Sequence, residues 1–139
     1  MTRIETLSER ECLELVAGGE VGRIAFTGRY GPAVLPVNYK LTDGLIWFRT
    51  ALHGVLDEDL RTGIANADYV VAFEVDELDA ARRVGWSVLI QGAAHPVSSD
   101  ADRSAADRSG VVSWAGGDRE LFVRITPQRV TGRRIAPEP

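Results

Sequence analysis

Cysteine is nearly absent from this chain of 139 residues, and histidine is scarce. Cys12 is the single cysteine, and the two histidines are His53 and His95. A single cysteine excludes an internal disulfide and any metal site built from several cysteines. Two histidines far apart in the sequence, without a carboxylate-rich ligand loop, do not indicate a metal centre. The sequence therefore predicts no metal site.

Long apolar runs are lacking as well. No segment approaches the roughly 20 apolar residues that a membrane-spanning helix needs. The N-terminus, Met-Thr-Arg-Ile-Glu, lacks the apolar core of a signal peptide. We therefore expect a cytoplasmic protein with no membrane partner.

A concentrated basic surface is missing from the sequence too. Sixteen basic residues face twenty acidic ones, which gives a net charge of −4. Four arginines near the C-terminus, at positions 124, 129, 133 and 134, are more typical of a solvated face or of ion pairs than of a phosphate-backbone surface. We expect no nucleic-acid partner.

Several familiar catalytic and nucleotide-binding motifs are also absent. There is no Gly-x-Ser-x-Gly elbow for a serine hydrolase. There is neither a phosphate-binding Gly-x-x-x-x-Gly-Lys-Ser/Thr loop nor a Gly-x-Gly-x-x-Gly turn after a strand. A nucleotide-like ligand would therefore have to bind on a different scaffold.

The apolar patterns that are present describe a mainly β domain. Ser8 and Glu11 form a capping box that opens a helix over residues 8–17, which Gly18 and Gly19 end. Short runs with alternating apolar residues then predict strands, joined by turns such as Thr42-Asp43-Gly44. The predicted strands cover residues 21–26, 33–41, 45–50, 69–75, 86–94, 119–125 and 129–135, with a bend at Gly92 and a break at Thr126-Pro127.

Two further segments have helical features. Leu56, Leu60 and Ile64 repeat at helical spacing and predict a second helix over residues 55–65. Residues 98–109 are compatible with a solvated helix that has little apolar surface to dock. We interpret the whole chain, residues 1–139 with a core of about 8–135, as one antiparallel barrel with a few flanking helices.

An anion site is indicated where the strand over residues 45–50 ends. Arg49 and Thr50 can both donate hydrogen bonds to phosphate oxygens. The predicted helix start near His53 would add unpaired backbone N–H groups and partial positive charge. The alternative is a surface ion pair between Arg49 and Asp57 or Glu58.

Three other positions are candidates for ligand contact. Pro36, within Pro36-Val37-Asn38-Tyr39, indicates an edge, a bulge or an unpaired position in its strand. Gln91 carries an amide that can meet a polar ring, or simply faces outward. Trp114 can stack on a ligand or a partner chain, or cover the core.

Taken in order, these segments resemble the flavin-binding split-barrel family of pyridoxamine 5′-phosphate oxidase-like proteins, and most of all its short actinobacterial and nitroimidazole-resistance-type branch. The resemblance spans about residues 8–135. The matching segments are 21–26 (Val-Gly-Arg-Ile-Ala-Phe), 36–39 (Pro-Val-Asn-Tyr), 48–50 (Phe-Arg-Thr), 73–75 (Phe-Glu-Val), 85–88 (Gly-Trp-Ser-Val) with Gly92, 124–127 (Arg-Ile-Thr-Pro) and 130–133 (Val-Thr-Gly-Arg).

The resemblance implies a six-stranded antiparallel split β-barrel that forms a homodimer, with FMN in a groove at the dimer interface. Pro36, Val37 and Asn38 would line the flavin ring, and Gln91 would approach it. Trp114 is a candidate contact from the second subunit. By the same likeness, Arg49 and Thr50 would lie near the ribityl chain and the phosphate.

The implied activity is a flavin-dependent oxidoreductase that passes hydride or electrons from a reduced nicotinamide to a small organic substrate. No catalytic acid or base can be named from the sequence. Related chains often carry a lysine or arginine shortly after the Phe-Arg-Thr segment, whereas here His53 and then three carboxylates, Asp57, Glu58 and Asp59, follow. Protonated His53 would be a partial substitute. A deazaflavin, haem, a non-enzymatic flavin-binding module and a barrel without a cofactor therefore stay open as alternatives.

Overall fold

The computed structural model describes residues 1–28, 30–50, 69–97, 99–114 and 121–139. In these ranges the chain forms seven strands and two helices. The strands are β1 (Thr2–Leu7), β2 (Val21–Gly28), β3 (Gly31–Thr42), β4 (Leu45–Thr50), β5 (Tyr69–Asp79), β6 (Val84–Pro96) and β7 (Leu121–Pro137), and the helices are α1 (Glu9–Ala17) and α2 (Asp100–Ser109).

Six of the strands close into a ring in which every pair is antiparallel. The order is β7-β4-β3-β2-β5-β6, and β6 pairs again with β7. The first five residues of β7 pair with β4, whereas its last six pair with β1. Because β7 serves two neighbours along one edge, the barrel splits there. The predicted six-stranded antiparallel split barrel is confirmed.

Strand β1 was not predicted from the sequence. Of its six residues only Leu7 is buried, and Ile4 is 66% exposed. An alternating core face, which is the usual local signal for a strand, is therefore missing. The strand forms because β7 offers an open edge, with Thr2 opposite Pro137 and Leu7 opposite Gly132.

Helix α1 begins as its sequence predicts. The Ser8 side chain accepts from the Glu11 N–H, and the Glu11 carboxylate accepts from the Ser8 N–H at 3.1 Å. Cys12 and Val16 are fully buried on the inner face of the helix. Burial raises the pKa of the Cys12 thiol, so this cysteine is an apolar core residue rather than a nucleophile. Neither described helix combines the length and the apolar character needed to cross a bilayer.

The β3–β4 hairpin also follows the prediction. Thr42 pairs with Leu45, which leaves Asp43 and Gly44 as a two-residue turn. Both turn residues have positive φ, 54° and 77°, as a tight hairpin turn of this kind requires.

The predicted break at Thr126-Pro127 is wrong, because β7 runs through it. Proline has no N–H for the sheet, but here the register shifts between Gln91 and Gly92, so that Gln91 opposes Arg129 and Gly92 opposes Pro127. Gln128 is the extra residue of this bulge. The bulge accommodates the proline, so one long bent strand replaces the two predicted short ones.

Helix α2 docks on the barrel, contrary to the expected solvated helix. Ala106 is fully buried and packs with Trp47 and Phe122 in a cluster outside the main core. Two alanines provide enough apolar surface because the aromatic partners supply the volume. The predicted helix at 55–65 lies outside the described residues, as do residues 119 and 120 of a predicted strand.

The main core fills the barrel. It includes Ile24, Tyr39, Phe48, Phe73 and Ile90, together with the inner residues of α1. The Tyr39 and Phe73 rings meet edge to face with centroids 5.3 Å apart. Burial raises the pKa of Tyr39 to about 12, so its hydroxyl stays a neutral donor.

The buried hydroxyl of Tyr39 ties β3 to the end of α1, since it donates to the backbone carbonyl of Val16. We expect Tyr39→Phe to lower the free energy of unfolding by about 1 kcal/mol, because a buried hydrogen bond is lost with little change in volume. Urea unfolding followed by tryptophan fluorescence measures this change. An unaltered midpoint would show that the hydrogen bond adds nothing to stability.

Candidate functional site

The outer face of β3, β4, β7 and β6 carries a group of basic and aromatic side chains. Across these strands, Lys40 opposes Trp47, Trp47 opposes Arg124, and Arg124 opposes His95. Residues paired in this way project from the same face of a sheet. Helix α2 lies over part of this face, because Trp47 packs against it.

Arg49 follows Trp47 by two residues on β4 and projects from the same outer face. Its Cα opposes that of Phe122, and its guanidinium carbon lies 4.9 Å from the centroid of the Phe122 ring. The side chain is thus half-buried and stacked on an aromatic face, which holds the guanidinium in place. The carboxylates of the alternative ion pair, Asp57 and Glu58, lie outside the described residues.

Helix α2 adds a second guanidinium to the same ring. The Arg103 guanidinium carbon lies 5.4 Å from the Phe122 centroid. Arg124, two residues along β7, has an Nη2 atom 3.7 Å from Asp102 Oδ2, which is longer than a hydrogen bond. Its Nη1 atom is buried and has no hydrogen-bond partner. We call Arg49, Arg103, Phe122 and Arg124 the arginine cluster.

The arginine cluster is suited to hold an anion. Two guanidinium groups stack on the Phe122 ring and the third follows Phe122 by two residues on β7, in a chain whose net charge is negative. Like charges held close together favour an anion between them. The buried Nη1 of Arg124, which has no hydrogen-bond partner, also favours an anion that can accept from it.

Of the predicted ring-contact residues of β3, Asn38 is the one nearest to this cluster in the register. Tyr39 opposes Phe48 in the antiparallel β3–β4 pair. Asn38, one residue before Tyr39, is therefore level with Arg49, one residue after Phe48. The Val37 side chain is partly buried and packs against the main core. Pro36 is exposed and opposes Arg23 of β2, within a paired strand.

Asn38 holds Trp114 next to β3. The Trp114 backbone N–H donates to Asn38 Oδ1 at 2.7 Å, and Asn38 Nδ2 is 3.4 Å from the Glu20 carbonyl oxygen. The Trp114 indole remains 68% exposed. It lines a cavity of about 590 Å³ together with Trp86, Asp76 and other residues. Trp114 is therefore placed beside Asn38 of its own chain, with its ring available to a ligand.

Gln91 is not brought to this group within one chain. It lies on the outer face of β6, where it opposes Ala72, which in turn opposes Ala25 and then Val34 of β3. Three strand spacings separate it from β3, which is roughly 14 Å. Thr50, the last residue of β4, opposes Leu121 and stays near Arg49. His53 lies outside the described residues.

Sequence reasoning missed three members of the arginine cluster. Arg103 sits in an Asp-Arg-Ser segment that indicates only a solvated helix, and Arg124 and Phe122 look like ordinary strand residues. Their juxtaposition depends on α2 folding back over β7, for which the sequence gives no local signal. Among the residues that the structure describes, no group of histidine, cysteine or acidic side chains could hold a metal ion.

A separate charged cluster lies on the outer face of β2 and β5. Arg23 Nη1 is 3.6 Å from Glu74 Oε1 and 3.4 Å from Asp76 Oδ2. Glu74 Oε1 is buried and accepts no hydrogen bond. Burial, and secondarily the neighbouring Asp76, raises the pKa of Glu74 to about 7, although Arg23 acts in the opposite direction.

The raised pKa of Glu74 predicts a pH-dependent stability. Its ordinary pKa is 4.5, so between about pH 4.5 and 7 the folded state binds more protons than the unfolded state. The contribution of Glu74 to stability is therefore greatest below this window and is lost as the pH rises through it. Because the side chain is partly exposed, we expect the fall to be about 1 kcal/mol after solvent screening.

Glu74→Gln tests this expectation, because the amide resembles the protonated acid. The fall in melting temperature between about pH 5 and 8 should become shallower by a few degrees. Glu77→Gln is the matched control, since Glu77 is an exposed carboxylate of the same strand. Equal pH slopes in wild type and Glu74→Gln would contradict the assignment.

Comparison with known proteins supports the fold and the family. The sequence profile of the pyridoxamine 5′-phosphate oxidase family matches residues 8–134. An uncharacterised Mycobacterium tuberculosis protein, Rv0080, is 38% identical over 129 residues, which cover 93% of this chain and 84% of the relative.

Two solved structures are similar over almost their full lengths. A Corynebacterium glutamicum protein provisionally assigned as a pyridoxamine 5′-phosphate oxidase superposes with a TM-score of 0.80 at 27% identity, covering 98% of this chain and 96% of that one. The FAD-binding protein of Mycobacterium smegmatis gives a TM-score of 0.75 at 29% identity, covering 95% and 98%. The resemblance inferred from the sequence motifs is thus confirmed: this chain belongs to the pyridoxamine 5′-phosphate oxidase family.

Proposed function

We propose that this protein binds a flavin through its FMN moiety, alone or as half of a dinucleotide, and acts as a flavin-dependent oxidoreductase. The observation that carries the proposal is the arginine cluster at the end of β4, next to Asn38 and Trp114. The FAD-binding protein of M. smegmatis, with the same fold at 29% identity, supports it.

The side chains present fit a phosphorylated flavin. Arg49 and Thr50 supply a planar fork and a hydroxyl for phosphate oxygens, and the buried Nη1 of Arg124 lacks an acceptor. The exposed indole of Trp114 offers a flat apolar surface to a ring system. His53 stays a candidate for the same phosphate.

We further propose that the protein is a homodimer with the flavin site at the interface. The outer face of β3, β5 and β6 carries exposed apolar side chains, Val34 (59%), Val70 (61%) and Leu89 (37%), around Gln91. Exposed apolar surface of this kind is typical of an interface. In this arrangement Gln91, roughly 14 Å from β3 in its own chain, would approach the flavin held by the partner chain.

When bound, a flavin supplies hydride and electron transfer, here from a reduced nicotinamide to a small organic substrate. The described residues have other tasks. Arg49 and Thr50 hold the phosphate end. Asn38 positions Trp114 through the hydrogen bond to its backbone N–H. Pro36 and the backbone of Val37 fix the edge along which a ring would lie.

An absorbance spectrum of the purified protein tests the proposal, repeated after addition of FMN or FAD and passage through a desalting column. Retained flavin bands support a flavoprotein, and oxidation of reduced nicotinamide with electron acceptors then separates an enzyme from a non-enzymatic flavin carrier. A protein that retains neither flavin would contradict the proposal and favour a deazaflavin or a barrel without a cofactor. Light scattering of the same sample gives the oligomeric state.

A further inference from the structure

We propose that a cavity on the outer face of β1, β5, β6 and β7 binds a neutral carboxamide carried on a flat ring, and that Glu74 accepts a hydrogen bond from its N–H group. The cavity has a volume of about 540 Å³. Its lining includes one carboxylate, one guanidinium, two hydroxyls and two apolar side chains, which belong to Glu74, Arg133, Ser87, Thr131, Leu89 and Ile4. None of the described residues that line it belongs to the arginine cluster, so this site is separate from the one proposed for the flavin phosphate.

The strand register places a hydrogen-bond acceptor beside hydrogen-bond donors on this face. Glu74 of β5 opposes Leu89 of β6, and Leu89 opposes Thr131 of β7. Ser87, two residues before Leu89, opposes Arg133. Ser87 is therefore a diagonal neighbour of Glu74, and such neighbours lie roughly 7–8 Å apart. A single group with a donor beside an acceptor can bridge this distance, because it forms one hydrogen bond at each end.

Glu74 offers an acceptor that lacks a donor. Its Oε1 atom is buried, and within the described ranges no group donates a hydrogen bond to it. Arg23 Nη1 is 3.6 Å away, which is longer than a hydrogen bond. The whole side chain is 35% exposed, and the terminal torsion of a glutamate is broad, so the carboxylate can turn toward the cavity. A ligand N–H would relieve the cost of the unsatisfied acceptor.

The charges around the cavity favour a neutral ligand. Arg133 lines the cavity and Arg23 adjoins Glu74, so a cation meets like charge there. An anion meets the carboxylates of Glu74 and of Asp76, which lies 3.4 Å from Arg23 on the same face. A carboxamide is uncharged and holds its N–H donor and its C=O acceptor side by side.

Apolar side chains border these polar groups. Leu89 is 37% exposed and Ile4 is 66% exposed, so a flat ring that carries the carboxamide can lie against them. Leu89 also separates Ser87 of the cavity from Gln91 on the same face of β6. In the proposed dimer Gln91 approaches the flavin of the partner chain, so a ring in the cavity would lie beside that flavin.

The electron donor of the proposed function carries the group that this cavity fits, because reduced nicotinamide is a ring with a carboxamide. Assignment of the cavity to the electron donor rests on the proposed function. The preference of the cavity for a carboxamide does not, since it follows from the lining residues alone.

The test titrates isotope-labelled protein with three pyridines, followed by NMR at about pH 8, where Glu74, with a pKa of about 7, is mostly ionised. Nicotinamide carries the carboxamide, 3-acetylpyridine keeps the C=O but lacks the N–H, and nicotinate carries a carboxylate. We expect wild type to bind nicotinamide at least about tenfold more tightly than either of the other two. The backbone amide signals of Ser87, Leu89 and Thr131 should shift during the titration.

Substitutions in the cavity separate the two hydrogen bonds. Glu74→Ala should weaken nicotinamide binding by about tenfold and 3-acetylpyridine binding by less than about twofold, because only nicotinamide donates to Glu74. Ser87→Ala should weaken the binding of both by about fivefold, because both offer the C=O group. Glu77→Ala is the matched control and should match wild type, since Glu77 is an exposed carboxylate of β5 that does not line the cavity.

Three outcomes would overturn the inference: no saturable binding of nicotinamide, equal affinities of wild type for nicotinamide and 3-acetylpyridine, or equal losses for both in Glu74→Ala. The melting temperature of each ligand-free variant shows whether it is folded, and the wild-type comparison decides the question even if Glu74→Ala is not.

The titrations use protein to which no flavin is added, so their result is separate from the test of the proposed function. A protein that binds nicotinamide but retains neither FMN nor FAD would support this site and contradict the proposed function. Reduced nicotinamide dinucleotide should compete with nicotinamide for the cavity. Failure to compete would overturn the assignment to the electron donor and would point to a substrate that carries the carboxamide.

Discussion

Arg49→Ala is expected to weaken flavin binding by about 30-fold or more while leaving the protein folded. A charge-assisted hydrogen bond to a phosphate contributes about 1.5–3 kcal/mol, and the guanidinium that provides it is held in place by Phe122 at 4.9 Å. Fluorescence titration with FMN and with FAD measures the loss. Both affinities should fall, because Arg49 is assigned to the phosphate that the two flavins share.

The same substitution has a smaller effect on stability. Stacking on Phe122 contributes about 0.5–1 kcal/mol, so the ligand-free melting temperature should drop by a few degrees only. Arg10→Ala is the control, since Arg10 is an exposed arginine on α1 that pairs with Glu14 at 3.2 Å, away from the cluster. If Arg49→Ala unfolds the protein, or binds flavin as tightly as Arg10→Ala does, Arg49 is a structural residue and not a phosphate ligand.

Gly92→Ala is expected to lower the free energy of unfolding by about 3 kcal/mol, which corresponds to roughly 10 °C in melting temperature. A Cβ at this position would lie 2.0 Å from the Thr126 carbonyl oxygen, 2.9 Å from the Thr126 carbonyl carbon and 3.2 Å from the Gln128 nitrogen. All three are backbone atoms of β7, so no side chain can rotate away. The methyl group would have to displace the bulge itself.

Gly18→Ala is the matched glycine control for this effect. Gly18 caps α1 with φ of −86°, and a Cβ there would meet only the Leu15 carbonyl oxygen at 3.7 Å, an ordinary contact. Thermal unfolding should therefore leave Gly18→Ala close to wild type. Comparable melting temperatures for the two variants would show that the β6–β7 bulge can move and is not the fixed feature that accommodates Pro127.

Local sequence signals identified most of the barrel. The capping box at Ser8, the Asp43-Gly44 turn and the alternation along β3 are all local, and each predicted its element within a few residues. Strand β1 and the continuity of β7 were missed for a shared reason. Both depend on a partner strand, because β1 has almost no buried face and Pro127 is accommodated only by a bulge opposite Gly92.

The sequence likewise identified some residues of the candidate site and missed others. Arg49 and Thr50 could be singled out because a cation and a hydroxyl end a strand. Arg103 could not, because its role comes from its contact with Phe122. Arg124 could not, because its role comes from a buried Nη1 that has no hydrogen-bond partner. The predicted contacts at Pro36, Val37, Asn38, His53, Gln91 and Trp114 await the binding experiments.

The sequence by itself determined the family, the mainly β fold and the polar end of β4. Periodicity, caps, turns and short motifs depend on residues that are close together in the sequence, so they can be recognised without the structure. Only the tertiary structure decided that α2 covers Trp47 and Phe122, that Asn38 holds Trp114 and that Gln91 lies apart from both. These arrangements follow from packing and strand register between segments distant in the chain. Such contacts have no local period, so they become visible only when the barrel closes.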